Sequence, residues 1–318
     1  PLYVAFGDIN EANKPSDAAL WKAAADAAKA VIDLNQYQLA DNYGDLFKND
    51  FKNKEYIFVR RYTANTNLER SNFPVSFGGE GGTCPSQNLV DDYEMLDGTP
   101  FDWNRPARAA QPFVNRDKRL EATILTNMAS FKNKKVETFP GGADASPVPN
   151  ATKTGYYLRK FLNEDVNIQT GGSSSGHVVP LFRLAEIYLN YAEALNEYDP
   201  TNPDIAVYLN KIRNRASLPN VPSGLSQEQM RKVIQHERRI ELAFEEHRFW
   251  DVRRWKIASS TLGAPVKGIQ IARKPTGGFT YQPVEVEQRV FQPKMYWYPI
   301  PQSELLKLTK WEQNNGWN

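Results

Sequence analysis

The chain has 318 residues, of which 41% are apolar and 24% charged, as in an ordinary globular protein with a sizeable core. Its net charge of +2 gives no electrostatic basis for binding nucleic acid. The apolar runs fall short of the roughly 18 residues that a membrane-spanning helix needs. The lone Cys84 cannot form an internal disulfide.

The first predicted helix covers residues 16–34, where alanine dominates and Ser16 is the expected cap. Its apolar side chains recur at helical spacing, and most of them are small. Small residues on such a face allow close packing, which is typical of a helical-repeat scaffold. Residues 37–47 predict a turn and a short helix, and residues 56–60 predict a short strand.

A long irregular segment follows at residues 63–115, where Asn, Gly, Pro and aromatic residues mix without a sustained period. Such a segment is unusual inside a compact domain unless it has a function. Further on, residues 119–125 and 155–162 predict short strands. Turn-rich loops are predicted at 137–155 and 170–177.

Helical order returns at residues 181–198, which are apolar on nearly every side and are therefore expected to be buried. Asn202 and Pro203 mark the start of the next helix, predicted to end near residue 217. Ser226 and Gln229 form a capping box ahead of a third helix. Two helices joined by a short polar turn resemble a tetratricopeptide hairpin, although the full repeat consensus is absent.

Residues 235–255 combine ten charged residues with aliphatic and aromatic ones. We expect their alkyl stems to pack on the core and their charged heads to pair. The structural ion pairs expected at helical spacing are Arg238–Glu241 and Arg248–Asp251. Trp250 and Trp255 are expected to be core residues. A zinc-binding H-E-x-x-H helix is disfavoured, because its second histidine would fall on Ile240.

A known family is recognisable in several separated motifs. The chain closely resembles the C-terminal region of the SusD/RagB family in LFRLAEIYLNYAEAL, NKIRNRASLP and HERRIELAFEEHRFWDVRRW, the last at residues 236–255. The resemblance extends upstream to GGTCPSQNLVDDYEMLDGTPF and NRDKRLEATIL, and downstream to YWYPIPQSELLKLTKWEQNNGW. These motifs follow the family order over most of the chain.

The resemblance implies a mostly α fold of tetratricopeptide-like helical hairpins, an α–α superhelix, with a loop-rich portion carrying a few short strands. One SusD/RagB-like domain, in its C-terminal portion, would then cover residues 1–318. Its helical scaffold would be 16–47 and 181–256, its loop-rich binding portion about 63–177, and its closing segment 257–318. Within that closing segment, residues 257–295 are expected to be a loop-rich tail. Because Pro1 opens without a signal sequence or lipidation cysteine, we expect these features and the first helical repeats upstream.

The family's members are cell-surface lipoproteins of the outer membrane that bind nutrients, usually glycans. The resemblance therefore implies capture of an oligo- or polysaccharide and its delivery to a SusC-like TonB-dependent transporter. It implies no catalysis, no cofactor, no nucleic acid, and membrane attachment only through an upstream lipid anchor. Two alternatives stay open: a helical-repeat module that binds a peptide, and a glycoside hydrolase with a spatially paired set of carboxylates.

Sugar rings stack their C–H faces on aromatic side chains, while their hydroxyls seek polar partners, so loops that combine both are candidate glycan sites. The strongest combination is Trp103 between two polar neighbours. The residues predicted to bind glycan are Trp103, Asp102, Asn104, Phe101, Phe73 and Phe77. The alternative for Trp103, Phe73 and Phe77 is that their rings cover the scaffold.

One carboxylate cluster is a candidate calcium site. It consists of Asp91, Asp92, Glu94 and Asp97. It lacks the alternating ligands of an EF-hand loop, so a structural or solvated role is favoured over metal binding. Calcium is accordingly the one cofactor considered, and no other metal site is predicted.

Overall fold

The structure is a computed structural model that describes residues 18–48, 51–169, 174–307 and 310–317. The predicted cap Ser16 and residues 170–173 of the predicted loop lie outside these ranges. The helices are α1 Ala18–Asp33, α2 Asn67–Asn72, α3 Gln87–Asp92, α4 Pro106–Ala110, α5 Lys118–Thr123, α6 Leu184–Tyr198, α7 Asp204–Arg215, α8 Gln227–Glu241, α9 His247–Arg254, α10 Ala258–Thr261 and α11 Gln302–Leu305. The strands are β1 Tyr56–Arg61, β2 Ile124–Leu125, β3 Ser130–Phe131, β4 Lys134–Lys135, β5 Tyr157–Leu158, β6 Val178–Arg183, β7 Val266–Arg273 and β8 Phe279–Glu287.

The strands of the described residues pair only in twos, and no closed sheet forms. All four pairs are antiparallel: β1 with β6, β2 with β5, β3 with β4, and β7 with β8. The strand predicted at residues 56–60 is present as β1, while the segment 155–162 contains only the two-residue β5. The fold is therefore mostly α with a few short strands, as predicted.

The helical core centres on α6, which packs against α1, α7 and α8. Ala25 and Ala28 of α1 are buried there, and their small side chains let the two helices approach closely. Leu189 and Ala192 of α6 are fully buried in the same cluster. The prediction that this helix is buried on nearly every side is confirmed, as is the tetratricopeptide-like character of the scaffold.

The predicted helix starts are present in the polar contacts. The Ser226 hydroxyl accepts a hydrogen bond from the Gln229 amide at 3.3 Å, and the Gln229 side chain accepts one from the Ser226 amide at 2.8 Å. The Asn202 side chain accepts a hydrogen bond from the Asp204 amide at 3.1 Å, although the N-cap of α7 is Pro203, one residue later than predicted. These contacts satisfy amides that have no partner within the helix.

Three predicted elements are wrong in part. Residues 181–183 pair with β1 as the end of β6, so the helix begins only at Leu184. Residues 119–125 are mostly the helix α5, which the side chain of Asp117 caps at the amide of Arg119. The closing segment carries the hairpin of β7 and β8, where a loop was expected. The alternating pattern of β8 and the paired Gly277 and Gly278 of its turn were the signals for this hairpin.

Both predicted ion pairs, Arg238–Glu241 and Arg248–Asp251, are wrong. Buried Arg238 donates instead to Asp251 at 3.1 Å and to Asn190 at 2.6 Å. Asp251 also forms an ion pair with Arg254, at 2.7 Å. Each predicted pair lies within one helix, α8 or α9, so the helical spacing is present. The pairs do not form because other arginines occupy Glu241 and Asp251.

Glu241 is the centre of a buried ion network that joins distant segments. Its carboxylate accepts from Arg183 at 2.6 Å, from Arg119 at 3.0 Å, and from Arg215. Burial alone would raise the pKa of Glu241, but these three positive charges outweigh it and hold the pKa well below its usual value. The network therefore ties β6, α5 and α7 to the end of α8.

The two tryptophans of this stretch differ in their surroundings. Trp255 is half-buried, and its indole donates to the Glu193 carboxylate at 2.7 Å. Trp250 is 48% exposed, so the prediction that it is a core residue is wrong. Its ring makes an edge-to-face contact with Phe249.

Candidate functional site

Two of the predicted glycan-binding aromatics belong to the core. Phe73 is fully buried, and Phe77 retains only 9% of its exposed surface. Both rings pack edge-to-face on Phe131, with centroids 5.1 and 5.0 Å away. No ring face is left for a ligand, so the prediction for Phe73 and Phe77 is corrected: they hold the loop in place.

Trp103 is half-buried at the edge of a second core cluster that includes Tyr156 and Ile269. Its indole Nε1 donates to the Asp91 carboxylate at 2.8 Å. The Phe101 ring meets it edge-to-face at 5.0 Å. One edge of the indole is thus fixed, while part of its surface stays open to solvent.

The partner of Trp103 is itself held by a short chain of hydrogen bonds. Gln87 donates from its side-chain amide to the same Asp91 oxygen at 2.7 Å. The buried hydroxyl of Tyr156 donates in turn to the Gln87 carbonyl oxygen. Burial raises the pKa of Asp91, and the hydrogen bonds from Trp103 and Gln87 oppose that rise. The indole therefore sits in a prearranged position, which lowers the entropy lost when a ligand binds.

Asp102 and Asn104 flank this indole. Asp102 is half-buried and accepts a hydrogen bond from the Asn104 amide at 2.9 Å, which fixes the turn. Arg105 lies 3.7 Å from the other oxygen of Asp102 in an exposed ion pair. Asn104 is exposed. The two residues thus place a carboxylate and an amide beside the aromatic ring.

Phe101 supports the indole more than it offers a surface of its own. The Arg116 guanidinium lies over the Phe101 ring, 4.1 Å from its centroid. Arg116 is buried and donates to the backbone carbonyls of Val90, Tyr93 and Pro112. Phe101 is held between this cation and Trp103, so the indole is the ring of this pair that remains for stacking.

The four candidate calcium ligands do not converge. Asp91 accepts from Gln87 and Trp103, while Asp92 pairs with Arg239 at 2.5 Å. Asp97 accepts from Thr99, and Glu94 pairs with Arg213 at 2.9 Å. Within the described ranges, no three acidic, histidine or cysteine side chains come together in a way that could hold a metal ion. Each carboxylate serves a different local contact.

A groove of about 610 Å³ lies beside this loop, and Asp91 is one of its lining residues. It is bounded by α3, the connection between α8 and α9, and residues 260–267. We call it the Arg248 groove; the residues that matter most for its chemistry are Asp91, Asp92, Arg239, Phe244, Arg248 and Arg289. Asp91 also accepts the hydrogen bond from Trp103, so this carboxylate is shared by the groove lining and the indole.

The connection between α8 and α9 shapes one wall of the groove. Phe244 and Glu246 both have left-handed backbone conformations, with φ of 63° and 66°. A bulky residue in this region costs roughly 1–3 kcal/mol, so the surrounding packing must impose it. The bend leaves the Phe244 ring half-buried in the groove wall.

Comparison with known proteins decides the family. The sequence model of the SusD family matches residues 45–317, nearly the whole chain. This chain belongs to the SusD family. Among the curated relatives, SusD-like protein P25 of Formosa agariphila is 28% identical over 269 residues, which cover 74% of this chain and 46% of that protein.

Solved structures of SusD-like proteins superpose well on this family member. One SusD-like protein from Bacteroides fragilis, 28% identical, gives a TM-score of 0.81 over 93% of this chain and 62% of its own. A structure described as a SusD-like carbohydrate binding protein, from the same species, is 31% identical and gives a TM-score of 0.78. That match covers 90% of this chain and 60% of the other. The chain thus spans about half the length of the curated relative and under two thirds of these structures.

Sequence reasoning on this SusD-family chain missed the groove. Its lining comes from α3, α8, α9 and residues 260–289, which only the fold brings together. The available signal was residues 244–249, where Phe244, Arg248 and Phe249 follow a helical stretch.

Among the described residues, no helix is both long and apolar enough to cross a membrane.

Proposed function

We propose that this SusD-family protein is a cell-surface glycan-binding protein. It captures an oligo- or polysaccharide and delivers it to a SusC-like TonB-dependent transporter in the outer membrane. In the full-length protein a lipid anchor would hold it to that membrane. Membership of the family supports this function, as does the likeness to a structure described as a SusD-like carbohydrate binding protein.

The observation that carries the proposal is the prearranged indole of Trp103. A sugar ring can place its apolar C–H face on the open part of the indole, while its hydroxyls reach Asp102 and Asn104. Fixing the indole through Asp91 before the ligand arrives reduces the cost of binding. We therefore place the binding surface on residues 63–115, with Trp103 as the leading contact.

The proposed function includes no catalysis. Hydrolysis of a glycosidic bond needs one carboxyl group free to donate a proton and a second across the bond. The carboxylates beside the indole are already engaged: Asp91 by two donors, and Asp102 by an amide and Arg105. This arrangement supports binding without turnover.

The test is a titration of glycans against the Trp103→Ala variant. A panel of soluble polysaccharides is first measured against wild type by isothermal calorimetry to find one that binds. Truncating a stacked aromatic contact should cost on the order of 2 kcal/mol, about thirtyfold in affinity. Trp103→Phe keeps an aromatic ring for stacking but loses the hydrogen bond to Asp91, so its affinity should lie between those of wild type and Trp103→Ala.

Trp311→Ala is the matched control, since Trp311 is 51% exposed and lies in the closing segment. It should leave the affinity unchanged. Because Trp103 is half-buried and hydrogen-bonded, thermal melts of both variants must accompany the titrations. Wild-type affinity in a folded Trp103→Ala variant would remove this residue from the site, and a wild type that binds no glycan would contradict the function itself.

A further inference from the structure

Charged residues of both signs line the Arg248 groove. Four basic residues line it, Arg239, Arg248, Lys267 and Arg289, against the three acidic residues Asp91, Asp92 and Glu246. Among the described residues, a carboxylate pairs with only one of these basic side chains, in the ion pair of Arg239 with Asp92. The lining thus carries one more positive than negative charge, and Arg248, Lys267 and Arg289 form no ion pair with any described residue.

Arg248 is the most telling of them. Within the part of the chain that the structure describes, its guanidinium forms no hydrogen bond and no ion pair. Asp251, the carboxylate at helical spacing from it, is occupied by Arg238 and Arg254. Burial and the nearby charge of Arg239 lower the pKa of Arg248 to about 10, against the opposing charges of Asp92 and Asp251, so it stays charged at neutral pH. None of its nitrogens is buried from solvent, so an anion that enters the groove can reach the guanidinium.

The two remaining cations of the groove are Arg289 and Lys267. Arg289 donates to the carbonyl oxygens of Ala264 at 2.9 Å and Thr261 at 3.2 Å, so its side chain is held without losing its charge. Lys267 is exposed at the start of β7, where the Asn88 side chain accepts a hydrogen bond from its amide. Glu246 is exposed and forms no ion pair with any described residue.

We propose that the Arg248 groove binds an anionic group of the glycan chain, a carboxylate or a sulfate ester, with Arg248 as its main ligand. The planar guanidinium can donate two parallel hydrogen bonds to either group. Phe244, half-buried in the adjacent wall, offers an apolar surface to the same sugar ring. This inference rests on the proposed function and narrows it to acidic glycans.

The geometry joins the groove to the indole site. Asp91 lines the groove and also accepts the hydrogen bond from Trp103. A single glycan chain can therefore stack one residue on the indole and place a neighbouring residue in the groove. The two contacts make separable contributions, since one is apolar and the other ionic.

The experiment compares acidic and neutral polysaccharides on the same protein. Polygalacturonate and alginate are the carboxylate probes, dextran sulfate and carrageenan are the sulfate probes, and dextran and xyloglucan are neutral. We expect at least one acidic polysaccharide to bind roughly tenfold or more tightly than the neutral ones. Binding should weaken as salt rises from 50 to 500 mM, since partly exposed charges are screened. Which acidic class binds identifies the anion.

Arg248→Gln removes the central cation and should weaken binding of that polysaccharide by roughly tenfold or more. Arg248→Lys keeps the positive charge but lacks the planar guanidinium, so its affinity should lie between those of wild type and Arg248→Gln. Arg70→Gln is the control, because Arg70 is an exposed arginine of α2 outside the groove and its loss changes the net charge equally. Since Arg248 has no partner to lose, its variants should melt at the wild-type temperature.

The possible failures are distinguishable. If neutral glycans bind as well as acidic ones and depend on Trp103 but not on Arg248, the groove inference is overturned and the proposed function stands. Equal losses in Arg248→Gln and Arg70→Gln would also overturn it, because they would reveal a general charge effect. If wild type binds no polysaccharide of any class, both proposals fail.

Discussion

Replacing Glu241 with glutamine should destabilise the protein by removing the central charge of the buried network. Glu241 is fully buried, and its two oxygens contact three guanidinium groups from β6, α5 and α7. Glutamine has nearly the same shape, so the change tests the charge and leaves the packing almost intact. One amide oxygen replaces two charged acceptors, and an amide NH₂ is placed toward an arginine.

The size of the effect follows from what the arginines retain. Removing one partner of a buried ion pair costs about 3–5 kcal/mol when the other charge is left uncompensated. Here Arg119 keeps Asp117 and Arg183 keeps Glu55, which also pairs with Arg215. Since no guanidinium is wholly orphaned, we expect the lower end of the range, about 3 kcal/mol. For a chain of this size that corresponds to a fall in Tm of roughly 5–10 °C.

The matched control is Glu228→Gln on the same helix. Glu228 pairs with Lys232 at 3.0 Å, but both side chains are more than two-thirds exposed. Exposed i,i+4 pairs contribute little to stability because solvent screens them, so this variant should melt within about 1–2 °C of wild type. Differential scanning calorimetry and urea titration would give both values.

The acid limb of the stability curve provides a second test of the same residue. The folded-state pKa of Glu241 lies well below that of an unfolded glutamate, so its stabilising contribution is present at neutral pH. That contribution is lost as the pH falls below about 5, toward the folded pKa. Glu241→Gln should therefore lose less stability than wild type between pH 5 and pH 3. Equal Tm values for Glu241→Gln and Glu228→Gln at pH 7, or parallel acid limbs, would refute this account of the network.

Two further predictions concern pH and turnover. Burial and the charge of Arg238 lower the pKa of His247 to about 4, so the unfolded chain takes up a proton first and stability should fall as the pH drops from about 6.5. Melts of wild type and His247→Gln at pH 7.5 and 5.5 check this, and a wild-type Tm difference no larger than that of the variant would contradict it. Prolonged incubation with any glycan that the protein binds should release no new reducing ends. Repeated turnover that disappears on substituting a pair of carboxylates would make the protein an enzyme.

The proposed indole site and the proposed Arg248 groove would recognise different features of a glycan. Stacking on Trp103 tolerates many sugars, because most pyranose rings present an apolar face. A guanidinium fork discriminates by charge and geometry. Together, the two proposed contacts would accept many sugar types while selecting for an anionic group.

Much of the scaffold followed from local pattern in the sequence. The alanine-rich face of α1, the apolar residues of α6 and the Ser226–Gln229 capping box each depend on residues within a few positions of each other. Helical hydrogen bonds and caps are equally local, so their signals survive in the chain itself. The family motifs added the order of these pieces.

The roles of the charged and aromatic side chains were decided by the tertiary structure. Arg183 meets Glu55 across 128 positions, and Arg119 meets Glu237 across 118. Phe73 is buried because it packs against Phe131, and Trp103 keeps an open face because Asp91 holds its edge. A side chain's sequence neighbours do not specify which distant segment will cover it. Burial, pairing and the free charge of Arg248 therefore became visible only when the helices, loops and hairpin were brought together.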